Sequence, residues 1–229
     1  MVQGSQRTRF SGSALVRLLA LGTEADIPPS KPAFAQRLSQ WLGWTDAISL
    51  AAALNEPAAP KPAALARTAQ AARTMEDEFA RVRAALAATI ADDFCARPGK
   101  AGAAPDVIDL AALRRRYAAR LQATEARIVA LRSRLRQALA ASSPAMARLA
   151  AVDAVMEQVL SAQERAALAS LPTWLEQRFE RRRQAEPEAG PQALLQELQA
   201  LLLAELDMRM QPAKGLLQAL QAQAHKHTS

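Results

Sequence analysis

The sequence predicts an all-α protein, on three observations. Alanine, leucine, arginine and glutamine dominate a chain of 229 residues in which aromatics are 4% and glycine totals 8, the profile of long helices rather than of sheets. Two separate stretches carry apolar residues at alternating steps of three and four. Prolines and glycines gather between those stretches. Half of the residues are hydrophobic, so burying a core is feasible.

The first stretch reads as one helix over residues 109–141, with Leu110, Tyr117, Leu121, Thr124, Ile128, Leu131, Leu135 and Ala138 at heptad spacing. A seam of this kind lets a helix meet a neighbour along its whole length. A matching series lies over residues 63–94, through Leu65, Ala72, Met75, Phe79, Val82, Leu86 and Thr89. Pro98, Gly99, Gly102 and Pro105 separate the two and can reverse the chain. The simplest reading is a long antiparallel, coiled-coil-like hairpin over residues 63–141, with its loop near 97–106. A parallel homodimer through either seam is the alternative.

Residues 1–56 read as a small N-terminal helical subdomain. Ser11 or Ser13 caps a helix carrying Leu15, Leu18 and Leu19. A second, from Pro32, aligns Phe34, Leu38, Trp41 and Leu42, and Gly43 stops it before Thr45 or Asp46 caps a third. In a chain so poor in aromatics, Trp41 and Trp44 are expected in the core of this subdomain, with partner docking as the functional alternative. Three prolines over residues 55–62 set it apart. Residues 144–229 read as a C-terminal helical bundle: a helix with Pro144 in its first turn, a short one opened by Ser161 and Glu164 as a capping box, and one opened by Ser170 and Pro172. A linker follows near 186–191, and then two helices divided by Pro212.

Compartment and chemistry follow from what these segments carry. Arg17 interrupts the apolar run after Arg7 and Arg9, so an amphipathic helix explains it better than an export signal. The apolar stretch 198–206 contains Gln199 and Glu205 and falls short of the ~20 residues that span a bilayer. No membrane insertion is expected. A single Cys95 excludes an internal disulfide framework and suits a reducing cytosol. Cys95 itself reads as a small apolar residue at a helix end.

No catalytic, metal or cofactor-binding constellation stands out, and no cofactor is expected. There is no glycine-rich phosphate loop, no nucleophile elbow and no metal-spaced histidine pair, His225 and His227 lying near the tail. Glu76, Asp77 and Glu78, and likewise Asp92 and Asp93, are adjacent in sequence and splay around a helix. They read as solvated. Asp153 and Glu157, an i to i+4 pair, read as surface too.

The charge is concentrated. Residues 107–141 hold eight arginines against two acids, a net +6 of the chain's +7. Arg120, Arg127 and Arg134 repeat every seven residues along one flank of the seam. Arg114, Arg115, Arg116, Arg132 and Arg136 widen the row. Such a ridge can follow a nucleic-acid backbone or an acidic partner. The plainer reading pairs these arginines with Glu76, Asp77, Glu78, Asp92 and Asp93 on the facing helix.

The stretch Arg7-Thr8-Arg9-Phe10-Ser11-Gly12-Ser13-Ala14-Leu15-Val16-Arg17-Leu18-Leu19, then Phe34 through Gln40-Trp41-Leu42 to Trp44-Thr45-Asp46-Ala47-Ile48, resembles a proteobacterial family of unknown function encoded beside MotA/MotB-like ion-driven motor genes. The resemblance implies the ZorF component of type III Zorya anti-phage defence. It further implies a cytoplasmic setting downstream of a membrane motor complex, with other defence components as partners and no catalytic residues to transfer. The function expected is non-enzymatic: partner binding through helical surfaces, and DNA contact through the basic ridge. A coiled-coil scaffold or homo-oligomer with no nucleic-acid role is the alternative.

Overall fold

Apolar residues recurring every three to four positions dictate helices, and helices account for all the regular structure described. The computed structural model describes residues 14–22, 34–55, 65–94, 110–185 and 191–225. Among the described residues there are nine helices and no strand: α1 (Ala14–Gly22), α2 (Phe34–Trp41), α3 (Trp44–Asn55), α4 (Leu65–Phe94), α5 (Leu110–Ser142), α6 (Pro144–Leu168), α7 (Leu171–Ala185), α8 (Pro191–Arg209) and α9 (Gln211–His225). The protein is all-α. None of these helices is long and apolar enough to cross a membrane. Residues 56–62, 97–106 and 186–190, expected as breakers, and Cys95 lie outside the described residues.

α5 sits at the centre, packed on α4, α6 and α9. Its seam is buried as the spacing requires: Leu131 and Leu135 are fully enclosed, and Tyr117, Thr124 and Ile128 nearly so. α9 lies on both α4 and α5, burying Ala213, Leu216, Leu217 and Leu220, while α8 packs on α4. α1 packs on α8, through the buried Leu15, and α2 and α3 on α6. Each fully buried leucine contributes on the order of 1.5–3 kcal/mol.

The α4 series departs from its expected end. Thr89 is exposed, its hydroxyl donating to the Ala85 carbonyl at 2.6 Å, and Ile90 is buried instead. The reason is geometric: a straight helix drifts by about 20° per heptad, so the last step lengthens from three to four to stay on the core.

Local signals explain the boundaries. Ser143, extended at φ −161° and ψ 161°, caps α6 by accepting from the Met146 N–H at 3.3 Å, and Pro144 follows at the first position, where its missing N–H leaves no bond unmade. α3 begins earlier than expected. Asp46 occupies its third position and reaches back to accept from the Gly43 N–H at 3.0 Å, the returning half of a capping box rather than the cap itself. Ser161 does not open a helix, because α6 runs unbroken past it and the hydroxyl donates to the Gln158 carbonyl at 3.2 Å, which satisfies it within the helix. Pro212 has no N–H for the Met208 carbonyl, so α8 and α9 divide there, while Met210 and Lys214 keep their i−4 bonds on either side.

Candidate functional site

Among the described residues, Arg114, Arg132, Arg134 and Arg136 of α5 pair with acids on three different helices. Arg134 pairs with Glu78 of α4, as the plainer reading of the ridge anticipates. Arg114 reaches Glu176 of α7 at 3.3 Å. Arg132 and Arg136 turn to α6. There Arg132 meets Asp153 at 2.8 Å and Glu157 at 3.1 Å, and Arg136 meets the same two at 3.0 and 2.7 Å. All four side chains are less than one-fifth exposed, so Asp153 and Glu157 are not the surface pair expected of them. Burial pulls the Arg136 guanidinium down, but its hydrogen bonds to Glu157 and Asp153 outweigh that and leave it more basic than an ordinary arginine.

The seven-residue row itself is not equally exposed along its length. Arg120 is half-buried beside Tyr117, Leu202 and Glu205, lining a cavity of about 20 Å³, whereas Arg127 is exposed. The same drift of about 20° per heptad carries the row outward as it ascends. Arg116 lies about 20° from Arg127 on the helix wheel, three turns away and on the side opposite Arg120. Arg115, Arg116 and Arg127 are exposed and have no acidic partner among the described residues.

Among the described residues two charged side chains are buried, Glu205 and Arg209 of α8, and no sequence expectation singled them out. The Arg209 side chain is 5% exposed, yet Nε donates to Glu205 at 2.9 Å and Nη1 to Glu164 at 3.1 Å and Glu125 at 3.4 Å. The Tyr117 hydroxyl donates to the Glu205 carboxylate, 3.2 Å from either oxygen. Burial, and then the neighbouring Glu205 charge, push the Tyr117 phenol well above its usual range, so it stays a donor. The Glu164 carboxyl is raised as well: burial comes first, Arg209 opposes it, and Glu125 adds to it. One guanidinium thus ties α5, α6 and α8 together. A signal was present. Glu205 and Arg209, four apart, fall on the same stripe as the buried Leu198 and Leu202.

A cleft of about 240 Å³ opens on this network between α5, α6 and the α8–α9 junction. Glu125, Glu164 and Arg209 form its charged end, with Val129, Met156 and Leu160 beside them. Among the described residues no group of three or more His, Cys, Asp or Glu side chains is arranged to hold a metal ion.

Trp41 and Trp44 part company. Trp41 is half-buried, but Trp44 is 83% exposed, so it does not belong to a core. α3 buries Ala53 and half-buries Asp46 and Leu50. Trp44 and Ile48 lie on the opposite side of that helix, and Ile48 is 54% exposed.

The whole of this arrangement falls within residues 1–222, which match a family model described as a protein of unknown function, DUF3348. The chain belongs to the DUF3348 family. No curated protein and no solved structure matches it. The charged network on Arg209 and the exposed tryptophan are therefore features of a DUF3348 chain, described from this structure alone.

Proposed function

We propose that this protein is a non-enzymatic cytoplasmic component of a motor-associated anti-phage defence system of the Zorya type III kind, acting by binding the other components. The exposed Trp44–Ile48 pair carries this reading. A tryptophan left 83% in water has no role in holding its own fold, and aromatic side chains of this kind anchor protein interfaces. The resemblance of the N-terminal third supplies the setting, and that stretch includes Trp44 and Ile48. Co-purification with the products of the neighbouring genes tests the reading, with Trp44→Asp expected to reduce it.

Contact with a duplex backbone is a second reading, favoured by the exposure of Arg116 and Arg127 on one stripe. The four paired arginines are spent on neighbouring helices, so a modest contact is expected. Binding to duplex DNA should weaken with salt, and Arg116→Gln with Arg127→Gln should flatten that dependence by about 0.9 in log–log slope for each phosphate no longer neutralised. Absent binding returns the protein to a scaffold with no nucleic-acid role, and binding unchanged in the double variant removes this stripe as the contact.

A further inference from the structure

We propose that the partner docked on α3 presents a single helix with an uncharged apolar face, seated over Ala47 and Ala51 between Trp44 and Leu54. This rests on the docking reading above and adds to it the form and chemistry of what docks. Among the described residues five large apolar side chains are exposed, and three of them, Trp44, Ile48 and Leu54, stand on this one twelve-residue helix. Exposed apolar residues scattered singly need no explanation, but a group on one short element marks a contact surface.

The relief of this face selects the shape of the occupant. Leu54, Ala47, Ala51 and Trp44 fall within about 80° of the helix circumference, with Ile48 about 40° further round. Ala47 and Ala51 are exposed and lie between the large side chains, so they form a low floor. Trp44 and Leu54 stand about 15 Å apart along the axis. That gap admits one helix, about 10–12 Å across with its side chains, crossing over the alanines, where small residues let two axes approach to the near end of the usual ~8–10 Å. Two helices side by side would not fit.

Charge selects the chemistry. Asp46 is the one charged residue of α3; it is half-buried, and its carboxylate accepts from the Gly43 N–H. Every exposed residue of the helix is neutral, whereas α4 exposes Arg73, Glu76, Asp77 and Arg81. A phosphate backbone or an acidic segment finds no counter-charge on α3. A charge on the docked helix turned toward this floor would lose its water and gain no partner.

The test is capture by the full chain from cells carrying the neighbouring genes, with a photoreactive benzophenone side chain in place of Ala52 on the rim of the face, and mass-spectrometric mapping of what it joins. Crosslinks should fall on one segment of one component, at positions recurring every three to four residues. Capture should hold in salt of about 1 M, where charges are screened beyond about 3 Å. Ala51→Glu, which leaves Trp44 in place, should reduce capture by about tenfold or more, and Ala51→Ser, which keeps the floor low and neutral, should not. Position 51 is exposed, so thermal melting should find both variants folded as the parent is. Capture lost in Trp44→Asp but untouched by Ala51→Glu would overturn the helix seat and leave the docking reading standing. Crosslinks to a second copy of the chain, crosslinks at every other residue of a strand, or capture lost in high salt would overturn it too, and no capture by the parent would remove both readings.

Discussion

Replacing Arg209 by methionine should destabilise the protein by about 3–5 kcal/mol, the loss expected when one partner of a buried ion pair is removed. The substitution keeps length and apolar stem, so packing is largely preserved. What changes is that Glu205, as deeply buried as Arg209, is left with the Tyr117 hydroxyl as its remaining donor among those described. α5, α6 and α8 also lose a side chain that bonds to acids on all three. Denaturant unfolding measures the effect, with a lower midpoint and an unchanged slope. A second variant separates charge from packing. Adding Glu205→Leu to Arg209→Met removes the uncompensated carboxylate and should recover much of the loss, since an apolar replacement of a whole buried pair is often neutral. A double variant no more stable than Arg209→Met would show that the guanidinium acts through packing alone.

Leu220→Ala should cost about 2–5 kcal/mol, even though it lies nine residues from the end of the chain. Leu220 is fully buried, on the helix that packs on both α4 and α5. If α9 were an accessory segment, truncating one of its leucines would barely register in global unfolding. Because it covers both long helices, the cavity should lower the melting temperature in a single transition. A loss below about 1 kcal/mol, or a separate early transition, would contradict the packing of α9 on both.

The seam of α5 was legible because its signal is local. From Tyr117 to Ala138 each apolar position predicts its own burial, and seven of the eight positions named can be placed, all of them buried or half-buried. What covers a seam is not local. Leu216, Leu217 and Leu220 announce an amphipathic helix, yet nothing in their spacing says that its partners are α4 and α5, far back along the chain. The same limit applies to charge. Arg134 and Glu78 were nameable as partners because they sit on adjacent long helices, whereas Asp153 and Glu157 looked like surface until α6 folded onto the Arg132–Arg136 side of α5. Heptad counting also misplaced the end of the α4 series. A rigid step of seven outruns a helix of about 3.6 residues per turn, and Thr89 for Ile90 is the result. Trp44 failed for a different reason. Rarity of aromatics says that a tryptophan matters, not whether it faces inward.

The most direct test of action through partners is capture from cells carrying the neighbouring genes, comparing the unaltered chain with a Trp44→Asp, Ile48→Asp variant. Both positions are exposed, so the variant should melt within about two degrees of the parent. The expected result is that the parent retains other components of the defence system and the variant, equally folded, loses them. Equal capture by both, or capture of nothing but further copies of the same chain, would contradict a docking role for this face of α3.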